Sequence, residues 1–513
     1  MLKSNFFKDA LLSGDDLCVI WEQVPGRGTE MRRELVLANA KQAMRDNTVK
    51  AISVTDNPGG GPAYAAGMLG ADIKKLGIEP MVHLAMRDKN RNEIESLLYA
   101  LGSAEVRNLL VVSGDYPTNS AQPVFDLDPV HTLQLIKRLN AGLEYDSCDR
   151  TIKLPETNFF AGVAVSPFKQ LEAELMGQYS KLAKKIEAGA QFIISQVGYD
   201  ARKAQELLLW LEQRGVAVPA VANIYVLSYH TARLMHANKI PGCVVEEKLL
   251  SELERESQSK DKGKEARLRR AAKMYAVAKG LGYRGVHLGG HSLDYEDVCN
   301  IVTWGEDIAP RWREVVGEFD YPKPGGFYLF QRDKESGLNT KEPTPSVTKG
   351  KKSAVYDFSL LVHNTLLTPT HSFFGMYQRL ARWIDRTRYV KRFSMFLEHL
   401  NKSMLFDCAG CGDCALAETG YLCPVSQCPK GMRAGPCGGS LEGWCEVYPG
   451  ARRCVWVRAF ERLKAYNKLT DLMVVAPPRD WSLIHTSAWL NFYLGRDHTA
   501  RRLGLRSPEN PEK

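Results

Sequence analysis

The chain contains no apolar run long enough to cross a membrane, which argues against a membrane partner. Its amino terminus, MLKSNFFKDALLSGDD, meets charge too early for the hydrophobic segment of an export signal. Both absences predict a cytoplasmic protein, and a homo-oligomer is the expected assembly. No arginine-rich arm with interleaved aromatics is present, so nothing points to nucleic acid. A formal charge of +9 spread over 513 residues is dilute. It suits an anionic substrate, an acidic partner or plain solvated surface. There is no internal repeat and no low-complexity tract. Cysteine is scarce over most of the length, with four of the twelve lying outside one short stretch.

That stretch is Cys408 to Cys454. It reads C408-x2-C411-x2-C414-x8-C423-P-x3-C428-P-x7-C437-GG-x5-C445-x8-C454, eight cysteines in 47 residues. Thiolates at x2 spacing can converge on one metal centre from a single turn, and the remaining five can supply a fourth ligand and a second full set. Eight ligands serve two [4Fe–4S] clusters, one cluster plus a zinc ion, or two structural zinc sites. The unbroken C-x2-C-x2-C opening and the two Cys-Pro pairs resemble cluster-binding ferredoxin loops more than the paired half-sites of zinc ribbons. Glycines 410, 412, 438 and 439 would let backbone approach a bulky centre. A reducing cytoplasm argues against disulfides.

From residue 17 to about 310, short β-branched runs alternate with longer helical segments. Strands are predicted at 17–21, 50–55, 80–85, 108–113, 159–165, 191–196, 218–226 and 285–290, with amphipathic helices such as Met31–Arg45 and Leu171–Ala188 between them. Eight such units predict a (β/α)8 TIM barrel of the α/β class, followed by a small cysteine-rich domain with helices. A doubly wound open sheet is the alternative. It lacks support because the first strand leads into EQVPGRG and not into a G-x-G-x-x-G turn. The expected domains are 1–330 (barrel), 331–355 (linker) and 356–513 (carboxyl-terminal domain holding 408–454).

A barrel carries its chemistry at the carboxyl ends of its strands. Those ends hold Glu22, Thr55, Asp56, His83, Gly114, Asp115, Ser166, Gln196, His287 and His291, a set richer in acids, amides and imidazoles than strand interiors should be. Each one alone could equally be a strand-end cap. His287 and His291 form only an H-x3-H pair at a strand exit, and no ion is assigned to them.

These residues occur in an order that resembles the methylenetetrahydrofolate reductase family over about residues 15 to 305. VIWEQVPGRG resembles the family's first strand and exit loop, AISVTDNPGG its second, MVHLAMRD its third and VVSGDYP its fourth. KKIEAGAQFIISQVGYD resembles its helix and strand ending in Gln. The cysteine pattern resembles the iron–sulfur or zinc subunit that accompanies acetogen-type reductases, here fused to the barrel. Two positions depart from the pattern: Gln-Val-Pro-Gly follows Glu22 where two aromatics and two prolines are usual, and Ser113 stands where many members have Arg.

The resemblance implies reduction of 5,10-methylenetetrahydrofolate to 5-methyltetrahydrofolate by hydride transfer from a reduced flavin (FAD or FMN). It implies Glu22 as general acid, Asp115 as the charge beside flavin and folate, and Gln196 and Tyr229 as substrate contacts. Thr55, His83, Gly114, Asp115, Lys184 and Lys185 are the implied flavin contacts. Electrons would come from NAD(P)H, or through the clusters from an acidic carrier such as ferredoxin or a flavoprotein. Two alternatives stay open: the same reductase with a purely structural zinc module, and a non-catalytic folate-binding subunit serving a methyltransferase.

Elsewhere, SQSKDKGK (257–264) reads as a disordered tip before an amphipathic helix. Residues 356–400 read as helical and aromatic, and the segment from Leu472 is apolar enough to cover a surface. Lys430, Arg433, Arg452, Arg453 and Arg458 are expected to form a basic rim for an acidic electron carrier.

Overall fold

We describe residues 4–14, 16–148 and 150–505 of a computed structural model. The extreme termini, on which part of the export-signal argument rests, lie outside the described residues. Backbone contacts divide the chain into two compact units: residues up to Val347 together with Gly438–Glu442, and Thr348–Cys437 together with the remainder from Gly443.

The first unit is the expected (β/α)8 barrel. Its strands are β1 (Cys18–Gln23), β2 (Val49–Val54), β3 (Glu79–Ala85), β4 (Asn108–Val112), β5 (Phe160–Val165), β6 (Phe192–Ser195), β7 (Ala220–Val226) and β8 (Gly285–Gly290). All eight fall where the β-branched runs predict them. Each pairs in parallel with its sequence neighbours, and β1 pairs with β8 to close the sheet.

Closure is filled from below. A helix absent from the sequence expectation, Phe6–Ser13, is capped by the Asn5 side chain on Lys8 N–H. It buries Phe7 completely, with edge-on ring contacts to Phe160 (5.9 Å) and Phe192 (5.5 Å). These rings, with Ile20, Ala51, Met81, Leu110 and Val221, form the apolar interior. Gly162 is required there, because a Cβ would lie 2.1 Å from the Phe192 ring. The amino end of the barrel is therefore sealed by hydrocarbon.

Residues 257–263 are not a disordered tip. They form hydrogen-bonded turns in which Asp261 accepts from Gly263 N–H and Glu265 N–H, capping the helix Lys264–Leu281. Within the expected linker, Phe330–Arg332 and Asn339–Pro343 pair as an antiparallel hairpin. It is tied to the helix Ala201–Gln213 by buried polar groups. Arg202 donates to Asn339 Oδ1 (3.1 Å), Tyr328 to Asp200 (2.6 Å) and Lys203 to Phe327 O (2.6 Å), while Lys203 and Glu206 form a fully buried ion pair.

The second unit holds the helices Ala354–Leu366, Phe374–Arg386, Arg388–Phe406 and Val455–Ala465. The late segment covers this unit's own helices, with Phe492 on Phe374 and Leu490 and Leu494 on Ala381. The expected basic rim is only partly a rim. Lys430 and Arg433 are buried and ion-paired to Glu446 and Asp413, so they neutralise internal acids. Among the described residues, no helix is long and apolar enough to cross a membrane.

The Lys203–Glu206 pair gives a stability prediction. Removing one partner, Glu206→Ala, leaves an uncompensated buried charge and should cost about 3–5 kcal/mol in denaturant titration. Lys203→Met combined with Glu206→Leu should cost clearly less than Glu206→Ala alone.

Candidate active site and thiol sets

Glu22 is the penultimate residue of β1 and points into the open end of the barrel, with its side chain about one-fifth exposed. Room for it comes from β8, where a Cβ on Gly289 would fall 2.9 Å from Glu22 Oε1. Its nearest basic neighbour is His287 of β8, with Nε2 3.9 Å from Glu22 Oε2. Burial raises the Glu22 carboxyl to about 7. Burial also lowers His83 to about 4, against the pull of Asp56, and His287 to about 3, helped by His83. At neutral pH both imidazoles are uncharged, so no cation draws the proton off Glu22.

The two rings meet at one hydroxyl. Ser53 Oγ, buried in β2, lies 2.8 Å from His83 Nε2 and 3.0 Å from His287 Nε2, and His287 Nδ1 lies 3.3 Å from Asn223 Oδ1 of β7. Ligand atoms of Glu22, His83 and His287 lie within 4.8 Å of one another. Because both Nε2 atoms are turned onto Ser53, the arrangement is a hydrogen-bond cluster. His291 is exposed and bonded to Ser292, so it does not converge with His287.

The other expected residues divide. Thr55, just beyond β2, is buried and its Oγ1 has no hydrogen-bond partner among the described residues; the same holds for Ser166 Oγ beyond β5. Gly114 has φ +80°, and a Cβ there would approach Arg87 Cβ to 2.9 Å, so the turn into Asp115 needs glycine. Asp115 Oδ2 accepts from Gly59 N–H at 2.7 Å and steadies the loop after β2. Asp115 and Glu22 both act on the buried Cys243 thiol, which burial pushes to about 12. The structure thus brings the two acids to one neighbourhood.

Gln196 follows β6; its Oε1 accepts from Val197 N–H (2.9 Å), and its Nε2 faces Gly242. Lys184 and Lys185 are not surface lysines. Both are buried; Lys185 donates to Ala164 O (2.7 Å), and burial lowers Lys184 to about 8, against the pull of Asp128. Tyr229 opens the helix Tyr229–His236, where its hydroxyl donates to Glu254 (2.7 Å) and its ring lies under Arg233. It is held by these outer groups and not by the Glu22 cluster.

Sequence reasoning overlooked Ser53, Asn223, Gly289 and Tyr225. The available signal was polarity inside an apolar strand: Ser in AISV and Asn in VANIYV.

In the second unit the cysteines fall into two sets. Cys423 raises the Cys408 and Cys411 thiols, Cys408 also raises Cys411, and Cys411 and Cys423 raise Cys414. Separately, Cys445 raises the Cys428 thiol, and Cys437 and Cys428 raise that of Cys454. Burial raises the Cys408, Cys411, Cys414, Cys428 and Cys454 thiols, Cys414 to about 12, while Lys402 lowers Cys408 and Cys414, Arg433 lowers Cys411 and Lys430 lowers Cys428. Among the described residues, no three of these sulfurs lie within 4.8 Å of one another. Four thiolates on one zinc ion at ~2.3 Å would stand only about 3.8 Å apart.

Residues 388–482 match the family described as methylene-tetrahydrofolate reductase C terminal. No curated protein matches the chain. One similar solved structure is an uncharacterized protein from Clostridium thermocellum that binds two copies of 5-methyl-5,6,7,8-tetrahydrofolic acid. It shares 12% identity over 60% of this chain and 99% of its own, with TM-score 0.42. Another is oxaloacetate acetylhydrolase in complex with oxalate, at 11% identity over 62% and 88%, with TM-score 0.32. A third, 2,3-dimethylmalate lyase, shares 12% over 64% and 88%, again with TM-score 0.32. These likenesses are too remote to bear on the site. Residues 9–296, more than half of the chain, match the methylenetetrahydrofolate reductase model, and the protein belongs to that family.

Proposed function

We propose that the protein reduces 5,10-methylenetetrahydrofolate to 5-methyltetrahydrofolate, with Glu22 as the proton donor. The observation that carries this reading is a carboxyl raised to about 7 at the open end of the barrel, facing imidazoles that stay neutral. Such a group is half protonated near neutral pH and suits general acid catalysis. Glu22 gives its proton to N10 of the substrate, and the carbon bridge opens to a 5-iminium cation. The Asp115 carboxylate favours that cation, and Gln196 offers its amide to the pterin edge.

A bound reduced flavin, FAD or FMN, supplies the hydride. The buried, unpartnered hydroxyls of Thr55 and Ser166 fit such a ligand, because each lacks the hydrogen bond that burial demands. Thr55, His83, Gly114 and Asp115 are the residues assigned to the flavin ring. Lys184 and Lys185 are assigned to its phosphate, although Lys185 would have to leave Ala164 O. Tyr229 is a weaker substrate contact, its hydroxyl being engaged by Glu254.

We assign Cys408, Cys411, Cys414 and Cys423 to one [4Fe–4S] cluster and Cys428, Cys437, Cys445 and Cys454 to a second. The wide sulfur spacing and the cationic side chains beside the thiols support clusters over zinc. The clusters would carry one-electron chemistry, taking electrons from an acidic carrier such as ferredoxin, with NAD(P)H as the direct alternative. Electron supply through clusters suits the cytoplasm.

Four outcomes are expected. Protein purified without oxygen should contain flavin and about eight iron atoms, and Cys411→Ser with Cys414→Ser should lower the iron by about half; zinc in place of iron would discard the clusters. Glu22→Gln should permit flavin reduction but lower folate turnover by at least about 100-fold, a general-acid loss. Wild-type turnover should fall as pH rises through about 7, where Glu22 loses its proton. The same shift sets stability. Folded Glu22 holds its proton to higher pH than the unfolded chain does, so its contribution weakens from about pH 4.5 to 7 and stays low above. Glu22→Gln should therefore melt higher than wild type at pH 8 and close to it at pH 5.

A further inference from the structure

The Ser53 hydroxyl sits between two imidazole nitrogens, yet it has one proton to give. His287 Nδ1 faces Asn223 Oδ1, an acceptor, so Nδ1 carries the hydrogen and Nε2 of His287 is a bare lone pair. The Ser53 O–H must then donate to His287 Nε2 (3.0 Å), and His83 must donate its Nε2–H to Ser53 Oγ (2.8 Å). The chain of donors runs in one direction: His83 to Ser53, Ser53 to His287, His287 to Asn223. The carboxylate nearest to it, Glu22, stands 3.9 Å from the same His287 Nε2.

We propose that Ser53 is a positioning residue for the acid step: by occupying the Nε2 lone pair of His287, it prevents that imidazole from sharing the proton on Glu22. The proton stays on Glu22 Oε2 until the substrate nitrogen takes it. That transfer breaks the Glu22 O–H bond and forms an N–H bond on the substrate, with no change of oxidation state. This inference rests on Glu22 being the proton donor.

The surroundings leave few other groups to play this part. Glu22 is faced by His287 from β8, by Tyr225 from β7 and by the Cys243 thiol. Burial holds Tyr225 and Cys243 in their neutral, protonated forms. His83 feels Asp56, and although a ring nitrogen lies within 4.8 Å of the Glu22 carboxyl, its Nε2 is engaged by Ser53. His287 is thus the base closest to the Glu22 proton, and Ser53 is the side chain satisfying its lone pair.

Ser53→Ala frees that lone pair and lets His287 accept a hydrogen bond from protonated Glu22, which stabilises the neutral carboxyl, ties up its proton and raises the acid's midpoint. The test uses the full-length protein and reads the protonated-carboxyl infrared band of Glu22 against pH, identified by its loss in Glu22→Gln. This readout needs no folate turnover, so it stays informative even if the proposed reaction is wrong. In Ser53→Ala the midpoint should rise by about one pH unit or more, a tenfold weaker acid. Ser53→Ala with His287→Leu should remove that rise, and Ser53→Thr should keep the wild-type midpoint. Asn223→Leu releases the His287 tautomer without touching Ser53 and lets Nε2 carry the hydrogen and donate to the carboxylate; it should lower the midpoint and covers the case in which Ser53→Ala does not fold. In turnover, the high-pH limb of the kcat profile should move with the band. An unshifted midpoint in both Ser53→Ala and Asn223→Leu, or one that stays high in Ser53→Ala when His287 is also replaced, would overturn the proposal.

Discussion

The pairing of β1 with β8 is the constraint from which the rest follows. Once the sheet closes, every inward side chain must either fill the interior or face the open end. The lower interior is taken by Phe7, Phe160, Phe192 and their aliphatic neighbours. Glu79 and Asn108 at the amino end are satisfied by Lys74 and Asn5, whereas at the carboxyl end Glu22 of β1 and His287 of β8 come side by side. Closure thus positions an acid and a base that lie 265 residues apart in sequence, and the low polarity beneath them sets their charge states.

Much of this was legible in the chain. β-branched runs of strand length, separated by helix-length segments, marked all eight strands, because parallel strands buried on both faces tolerate little else. The helix Phe6–Ser13 was not legible. Its eight residues carry no long periodicity, and its purpose appears only when Phe7 meets rings from β5 and β6. Glu22, His83 and Asp115 were found because they end strands. Ser53 and Asn223 were missed because they lie inside strands, where a single small polar residue reads as tolerated filler.

Charge was the least reliable signal. Lys184 and Lys185 were implied as flavin contacts, yet both are buried and Lys185 already donates to Ala164 O. Lys430 and Arg433 read as surface cations, yet each answers a buried acid. Linear sequence reports the sign of a charge and not its partner, and burial reverses its meaning. The cysteines behaved oppositely. Their spacing is the basis of the metal module proposed above, while their division into two sets required the fold, since Cys423 and Cys428 are adjacent in the cysteine run but fall in different sets.

Closure also removes something. An eight-stranded sheet joined to itself has no edge strand and so offers no row of unpaired backbone N–H and C=O groups. Among the described residues, open edges belong only to two hairpins, Glu144–Ser147 with Arg150–Lys153 and Phe330–Arg332 with Asn339–Pro343. Each is short and charged, and the second ends in proline, features that discourage strand addition. Self-association of this chain must therefore use side-chain surfaces, and the barrel carries little intrinsic liability to fibrous aggregation.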